Sequence, residues 1–494
     1  MNYDLEKQHK HGKYHAIERI ERLLDGDSFW EIGSHIEHDC HEFGMDEKHI
    51  PYDGVITGFG TIMNRQVAIY SQDFTVMGGT LGKMHGQKIE RVIELAIKYR
   101  CPVIGINDSG GARIQEGIEA LGGYGDIFRL NTLASGYIPQ ISIILGPCAG
   151  GAVYSPGITD FVFVVETISK MFVTGPKVVK QVLFESIDSQ TLGGAQMHAH
   201  TSGVAHFLSK TEDSCFEQVK ELFDYLPQNN IKQDHTVLHQ RVSYEGKALS
   251  HLIPDNPKQA YDIRTVIEAT VDDSRFLEVA KEFAQNIVVG FARISGAVTG
   301  VIANQPKVFA GVIDCDASDK AARFIRFCDA YHIPLLTFVD VPGFMPGSEQ
   351  EQKGIIRHGA KLLYAYSEAT VAKITVILRK AYGGAYIAMC SKQLGADFVF
   401  AWPRAEIAVM GAEGAIEVLF RKELAASTDP AAFKQRKTEE YKRAFLNPDT
   451  AVKRGIVDEI ISPDRTREFI IKALRSSSNK VECTLDKKHG NIPL

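Results

Sequence analysis

The sequence predicts an α/β protein built from two similar halves, and three observations carry that prediction. Ile374–Met389, ITVILRKAYGGAYIAM, runs from β-branched and apolar residues of strand length through a Gly-Gly-Ala turn into residues suited to a helix. Ile141–Tyr154, ISIILGPCAGGAVY, repeats the pattern. More than these stretches repeats: Tyr99-Arg100-Cys101-Pro102 leads to a short apolar run ending at Asp108, and Tyr331-His332-Ile333-Pro334 leads to one ending at Asp340, an offset of 232, while Gly383 lies 233 residues after Gly150. Thr159-Asp160-Phe161-Val162-Phe163 and Ala396-Asp397-Phe398-Val399-Phe400 match after a few inserted residues. At 494 residues the chain exceeds one ordinary core, so two large domains are expected, over residues 1–240 and 241–494.

In chain order, residues up to about Gly33 read as an amphipathic helix carrying Ile17, Ile20, Leu23 and Leu24, closed by Asp25-Gly26-Asp27. His9, His11 and His15 are placed on its solvated face. His35, His38, Cys40 and His41 fit no standard zinc spacing, so no metal site is expected. From Asp53 the alternation predicts a hairpin with Asn64-Arg65 at its turn. A glycine-rich loop, Met77–Lys83, precedes a helix from about Gln87 to Tyr99, and Val103–Asn107 is a buried strand leading to Asp108-Ser109-Gly110-Gly111-Ala112-Arg113. Residues 226–262, with Pro227, Pro254 and Pro257, read as a linker; a helix comes next near Thr265–Ala269, a charged helical stretch covers Lys422–Asn447, and Ser476–Leu494 reads as a weakly ordered tail.

Composition narrows the function classes. The chain is 44% hydrophobic and 23% charged, has 43 glycines, and has a formal net charge of −6, which favours neither nucleic acid nor an anionic membrane. No apolar stretch reaches the roughly 18–20 residues that span a bilayer. The N-terminus lacks the apolar segment of a secretory signal, and the eight cysteines form no CxxC pair, so a cytoplasmic protein with reduced thiols is expected. The loop GGTLGK lacks the spacing and hydroxyl of a phosphate loop, and no GxSxG, HExxH or GxGxxG is present. Backbone amides at the two Gly-Gly corners are therefore the leading chemical groups. Each corner leaves N–H groups unpaired, with a helix dipole behind them, and can hold an anion or a developing oxyanion.

Six motifs carry a resemblance to a known family: INDSGGARIQEG, GPCAGGAVYSPGITDF, LGGAQMHAHTSGVAH, VDVPGFMPGSEQE, RKAYGGAYIAM and FAWPRAEIAVMGAEGA. Together they closely resemble the carboxyltransferase subunits of biotin-dependent acyl-CoA carboxylases of the propionyl-CoA carboxylase β type. The same domain occurs in biotin transcarboxylase and in sodium-pumping methylmalonyl-CoA decarboxylases. The resemblance runs from about Gly12 to Ile460. It implies two tandem crotonase-like domains with twisted ββα units, a homohexamer, an acyl-CoA substrate, and biotin on a separate carrier or biotin carboxylase subunit. The N-terminal domain would take the acyl-CoA and the C-terminal domain the biotin.

By that resemblance, amides at Gly150 and Gly151 hold the thioester oxygen as the enolate forms, and those at Gly384 and Ala385 hold the ureido oxygen when carboxybiotin releases carbon dioxide. The freed biotin serves as the base, so no side-chain base is required. Gly383 and Tyr386 would line the biotin side, and Gly110, Gly111, Ala112 and Arg113 the CoA channel. Arg113, Lys83 and Lys88 are the cations available for CoA phosphates, although surface lysines are usually only solvated. His198, His200 and His206 read as packing or solvent-facing residues.

The chain departs from the propionyl-CoA type at Ile387, where an Asp is common; an apolar residue there bears on acyl-chain preference. No biotinylation motif is present. The first expectation is transfer between biotin and a propionyl or methylmalonyl thioester. The alternatives are the same subunit in a decarboxylase with a membrane partner, a crotonase-type hydratase, which would need a carboxylate beside a corner, and a non-catalytic CoA-binding scaffold.

Overall fold

The computed structural model describes residues 5–232, 248–482 and 485–494. The chain divides into two compact units, Met1–Ile231 and Lys232–Leu494. The 240/241 boundary expected from sequence lies outside the described residues, as do residues 233–247 of the expected linker.

The N-terminal unit is organised on an eight-stranded sheet in the order β1-β2-β3-β4-β5-β6-β8, with β7 beside β5. Its strands are β1 Trp30–Glu31, β2 Val55–Ile62, β3 Arg65–Gln72, β4 Val103–Ser109, β5 Gln140–Ala149, β6 Phe161–Val165, β7 Lys170–Phe172 and β8 Phe207–Ser209. β1 to β3 are antiparallel, and from β3 onward the pairing is parallel. The parallel strands are apolar on both faces, as a sheet covered on both sides requires; Val103, Ile104, Ile106, Ile141, Ile143 and Ile144 are all buried.

The C-terminal unit repeats this order as β9-β10-β11-β12-β13-β14-β16, with β15 beside β13. Here β9 is Phe276–Val279, β10 Ile287–Ile294, β11 Ala297–Asn304, β12 Leu335–Val341, β13 Lys373–Tyr382, β14 Phe398–Ala401, β15 Glu406–Ala408 and β16 Glu459–Ile460. The 232-residue offset persists in detail. Isolated bridges join Leu81 to Ala112 and Ile313 to Phe344. Lys88 Nζ donates to the carbonyls of Tyr52 and Val55, and Lys320 Nζ to those of Phe283, Ala284 and Ile287. The two-domain α/β reading of the sequence therefore holds.

Several local expectations move. The helix expected from Gln87 starts at Lys83, because its first amides find remote acceptors: Lys83 N–H donates to Glu116 and His85 N–H to Asp53 at 2.7 Å. The hairpin turn falls at Met63-Asn64, one residue early, with φ of 53° and 60°. Asp25 draws it there by accepting from both turn amides, at 3.0 and 2.9 Å.

The N-terminal helix is two segments, Leu5–His9 and Ala16–Leu23. His15 is buried rather than solvated, with Nε2 2.8 Å from Asp73. The tail also makes anchoring contacts: Lys480 Nζ donates to the Val371 carbonyl and Asp397, and Lys487 Nζ to Glu368. Among the described residues no helix is long and apolar enough to cross a membrane, and no group of His, Cys, Asp and Glu could hold a metal ion.

Candidate active site

Each Gly-Gly corner sits two residues beyond an irregularity in the parallel sheet. β5 pairs with β6 through Ile144, then with β7 from Pro147. β13 pairs with β14 through Ile377, then with β15 from Lys380. The chain then turns at Gly150, φ +62°, and at Gly383, φ +58°, a left-handed conformation that side-chain-bearing residues adopt at a cost. The helical segments after the turns are short, Gly150–Val153 then Tyr154–Ile158 in one unit and Gly383–Ala388 in the other. The helix dipole expected behind each corner is therefore small, and the amides of the first turn, which lack acceptors within their own helix, are the main electropositive groups.

The second glycines differ between the corners. A Cβ on Gly151 would lie 2.9 Å from the Tyr124 ring, so packing demands glycine there. Gly384 has no positive φ, and a Cβ on it would meet only Phe344 Cε2, at 3.9 Å. Neither backbone conformation nor packing requires glycine at 384; what its absent side chain preserves is open space before the corner.

That space adjoins a cavity of about 520 Å³ lined by Gly383, Gly384, Tyr386, Ile387, Val409, Tyr441, Phe445, Arg454 and Ile456. It is mainly aromatic and aliphatic, with Arg454, Asn447 and Thr450 as polar members. The Tyr386 hydroxyl is buried without a hydrogen-bond partner, and burial pushes its pKa up to about 12. Sequence reasoning named Gly383, Gly384, Tyr386 and Ile387, and the structure brings them together. It missed Tyr441, Phe445, Arg454 and Ile456, which come from the segments Pro430–Phe445 and Pro448–Lys453 and the residues just after them. The amphipathic pattern there signalled a helix but not the face it presents.

The segment Gly110–Arg113 lies against the first corner, since a Cβ on Gly111 would come within 2.9 Å of the Ala149 carbonyl oxygen. Three of its amides are engaged: Gly110 N–H donates to the Gly78 carbonyl at 2.9 Å, Gly111 N–H to Ser109 Oγ at 3.1 Å, and Arg113 N–H to the Leu81 carbonyl at 2.9 Å.

Arg113 corrects the sequence reading most directly. Its guanidinium is buried, with Nη1 2.6 Å from Asp53 and 2.7 Å from Glu116, the two carboxylates that cap the helix Lys83–Tyr99. Its charge is used within the fold and is not available to a phosphate. Lys88 is likewise buried on backbone carbonyls, and Lys83 Nζ pairs with Asp39 and Glu119. His198 Nε2 lies 2.8 Å from the Met171 carbonyl, and His206 Nδ1 accepts from Val162 N–H, both packing roles.

The comparisons with known proteins agree with this architecture. The model of the carboxyl transferase domain family matches residues 7–492. The chain belongs to the carboxyl transferase domain family. Across 491 residues it is 53% identical to the propionyl-CoA carboxylase carboxyltransferase subunit of Haloferax mediterranei, covering 99% of this chain and 95% of that one. The methylmalonyl-CoA decarboxylase subunit alpha of Veillonella parvula is equally similar, at 53% over 491 residues with the same coverage. Among solved structures, a crystal structure of transcarboxylase 12S, described as a hexamer with methylmalonyl-coenzyme A and methylmalonic acid bound, superposes with a TM-score of 0.96 at 50% identity, over 99% of this chain and 94% of that one. The crotonase-like fold and the carboxyltransferase class inferred from the six motifs both stand, and the hydratase and scaffold alternatives fall away.

Proposed function

We propose that this carboxyltransferase moves a carboxyl group between biotin on a separate carrier protein and a short acyl-CoA, propionyl-CoA and methylmalonyl-CoA being the pair its relatives name. The duplicated turn carries this reading: two amide corners of the same backbone conformation, one per unit, suit a reaction in which two carbonyl-type oxygens both gain negative charge. The N-terminal domain, residues 1–240, serves the acyl-CoA, with the amides of Gly150 and Gly151 taking the thioester oxygen. The C-terminal domain, residues 241–494, serves the biotin, with the amides of Gly384 and Ala385 directed at its ureido oxygen. The residues present fit such a group: the approach to Gly384 is open, and the adjoining cavity offers apolar walls. When bound, biotin supplies the carboxyl group and the base for the acyl α-proton.

The chain's own part is to hold, orient and stabilise. Removing one such donor costs about 10²–10³ in rate in known systems, so backbone groups alone can supply a large catalytic effect. We also place the enzyme in the cytosol as a homohexamer. Exposed apolar residues recur at matching places in the two units, Val173, Val182 and Leu183 in one and Val409, Val418 and Leu419 in the other, as expected of faces that copies cover.

Equal similarity to a decarboxylase subunit favours a second reading of direction, removal of the carboxyl group from methylmalonyl-CoA with a membrane partner. Incubating the purified chain with a biotinylated carrier domain and carboxyl-labelled malonyl-CoA or methylmalonyl-CoA tests the activity. Label is expected on the carrier; none from either donor, with the protein folded, overturns it.

A further inference from the structure

The irregularity before each corner is a bulge closed by a buried carboxylate. In the N-terminal unit β4 and β5 pair in step to Asn107↔Ile144 and resume at Ser109↔Cys148, so Asp108 alone faces Leu145, Gly146 and Pro147. In the C-terminal unit Val339↔Ile377 gives way to Val341↔Ala381, and Asp340 alone faces Leu378, Arg379 and Lys380. Two residues past each resumed pair come Gly150 and Gly383. Bulges bend a strand and re-aim the residues beyond it.

Both carboxylates are sealed in, Asp108 at 0% and Asp340 at 1% exposure. The Asp108 N–H donates to Gln72 Oε1 and the Asp340 N–H to Asn304 Oδ1, each at 3.3 Å and again 232 residues apart. Asp340 Oδ1 accepts from the bulge's own Lys380 N–H at 3.1 Å, while Oδ2 accepts from Arg379 Nε and from the Tyr261 hydroxyl, both at 3.0 Å.

The N-terminal unit reaches the same end with different residues. Gly146 stands where the other unit has Arg379, and a Cβ there would lie 1.9 Å from Asp108 Oδ1, so the carboxylate fills the space. The guanidinium comes instead from the helix Ala16–Leu23: Arg19 Nη1 donates to Asp108 Oδ2 at 2.9 Å, and Nη2 to the bulge carbonyl of Leu145 at 2.8 Å. Lys13 Nζ adds a contact at 2.6 Å.

We infer that Arg19–Asp108 and Arg379–Asp340 are positioning pairs for carboxyl transfer, each fixing the angle at which its strand leaves the bulge and so the aim of the corner amides. They act through the turn and not on substrate, and the inference rests on the functional reading of the two corners. A displacement of about 1 Å in such a site can cost roughly 10² in rate.

The test compares the full-length wild type with Asp340→Asn and with Asp340→Asn/Arg379→Gln. Asn keeps the shape and the acceptor for Lys380 N–H, and the double variant leaves no unpaired buried charge. Both are expected to lose roughly 10²-fold in kcat while KM for the acyl-CoA stays within about twofold, because the C-terminal corner does not hold the thioester. The double variant is expected to match the wild type in folded content and oligomer size, whereas Asp340→Asn alone strands the Arg379 guanidinium and is expected to be the less stable of the two, so kcat is read per folded molecule. Wild-type kcat per folded molecule in either variant, or a loss that only tracks the unfolded fraction, overturns the inference. Absence of transfer by the wild type overturns the functional reading instead, so the two failures are distinguishable.

Discussion

Replacing Gly384 by alanine is the sharpest probe of the corner, because the structure separates its effect on folding from its effect on chemistry. The added Cβ meets only Phe344 Cε2, at 3.9 Å, an ordinary van der Waals contact, and the position has no positive φ. It lies in the helical turn Gly383–Ala388, where alanine in place of glycine stabilises by up to about 1 kcal/mol. Stability is therefore expected to hold or rise slightly. The methyl occupies the approach to the amides of Gly384 and Ala385, and the expected loss is that of an oxyanion-hole donor, about 10²–10³ in kcat, or about 2.7–4 kcal/mol of transition-state stabilisation. Gly384→Val extends the obstruction and abolishes transfer. Label transfer to a biotinylated carrier gives kcat, thermal unfolding gives stability, and sedimentation gives the oligomer. A folded Gly384→Ala or Gly384→Val protein that transfers at near the wild-type rate refutes the role given to this corner.

The same geometry sets three further expectations. Arg113→Met strands Asp53 and Glu116 as uncompensated buried carboxylates at the start of the helix Lys83–Tyr99, so denaturation should show a loss of about 3–5 kcal/mol with KM for the acyl-CoA unchanged in the folded fraction; a raised KM without a stability loss would restore Arg113 as a ligand. Ile387→Asp installs the residue common in the propionyl-CoA type beside the second corner and should shift kcat/KM toward propionyl-CoA over acetyl-CoA by about 1–3 kcal/mol, about 5- to 150-fold; an unchanged ratio removes Ile387 from acyl selection. Burial lowers Lys320 to about 7 and Lys88 to about 8, below the roughly 10.4 of an unfolded chain, so the unfolded state binds more protons and stability should rise with pH from 7 to 9, by up to about 1.4 kcal/mol per unit for each group. Urea titrations at fixed protein concentration should show Lys320→Met with a shallower rise, and an unchanged slope assigns it elsewhere.

What was legible in the sequence was what short-range pattern encodes. The Gly-Gly-Ala turns, the apolar strands before them and the 232-residue offset are local or periodic signals, and each survives in the structure. The errors at polar residues share one cause, which is that each was read as free of partners inside the fold, left to solvent or to a ligand. His15, Lys88 and Arg113 are instead buried on partners far along the chain: Asp73, the carbonyls of Tyr52 and Val55, and the Asp53–Glu116 pair. No single sequence reveals such a pairing, because each partner looks like an ordinary surface residue until the fold brings them together. The cavity wall was hidden in the same way. The pattern over Lys422–Asn447 identified a helix, but only tertiary packing shows that Tyr441 and Phe445 border the same cavity as Ile387.

The two units also show which features the backbone demands and which are free to vary. Gly79 and Gly311 are held to glycine by the carbonyl oxygens of Asp108 and Asp340, which a Cβ would approach to 2.0 and 2.8 Å. Gln72 and Asn304 differ by a methylene yet bind the same amide. The cation against each carboxylate, by contrast, has no common origin: Arg379 belongs to the bulge itself, whereas Arg19 is brought in by an N-terminal helix. Different residues converging on the same bulge in both halves indicate that the bulge, and the aim it gives the glycines beyond it, is what the two halves must preserve. If packing alone were at stake, apolar side chains at both 340 and 379 would serve as well, since replacing a whole buried ion pair with well-packed apolar groups is often neutral or stabilising.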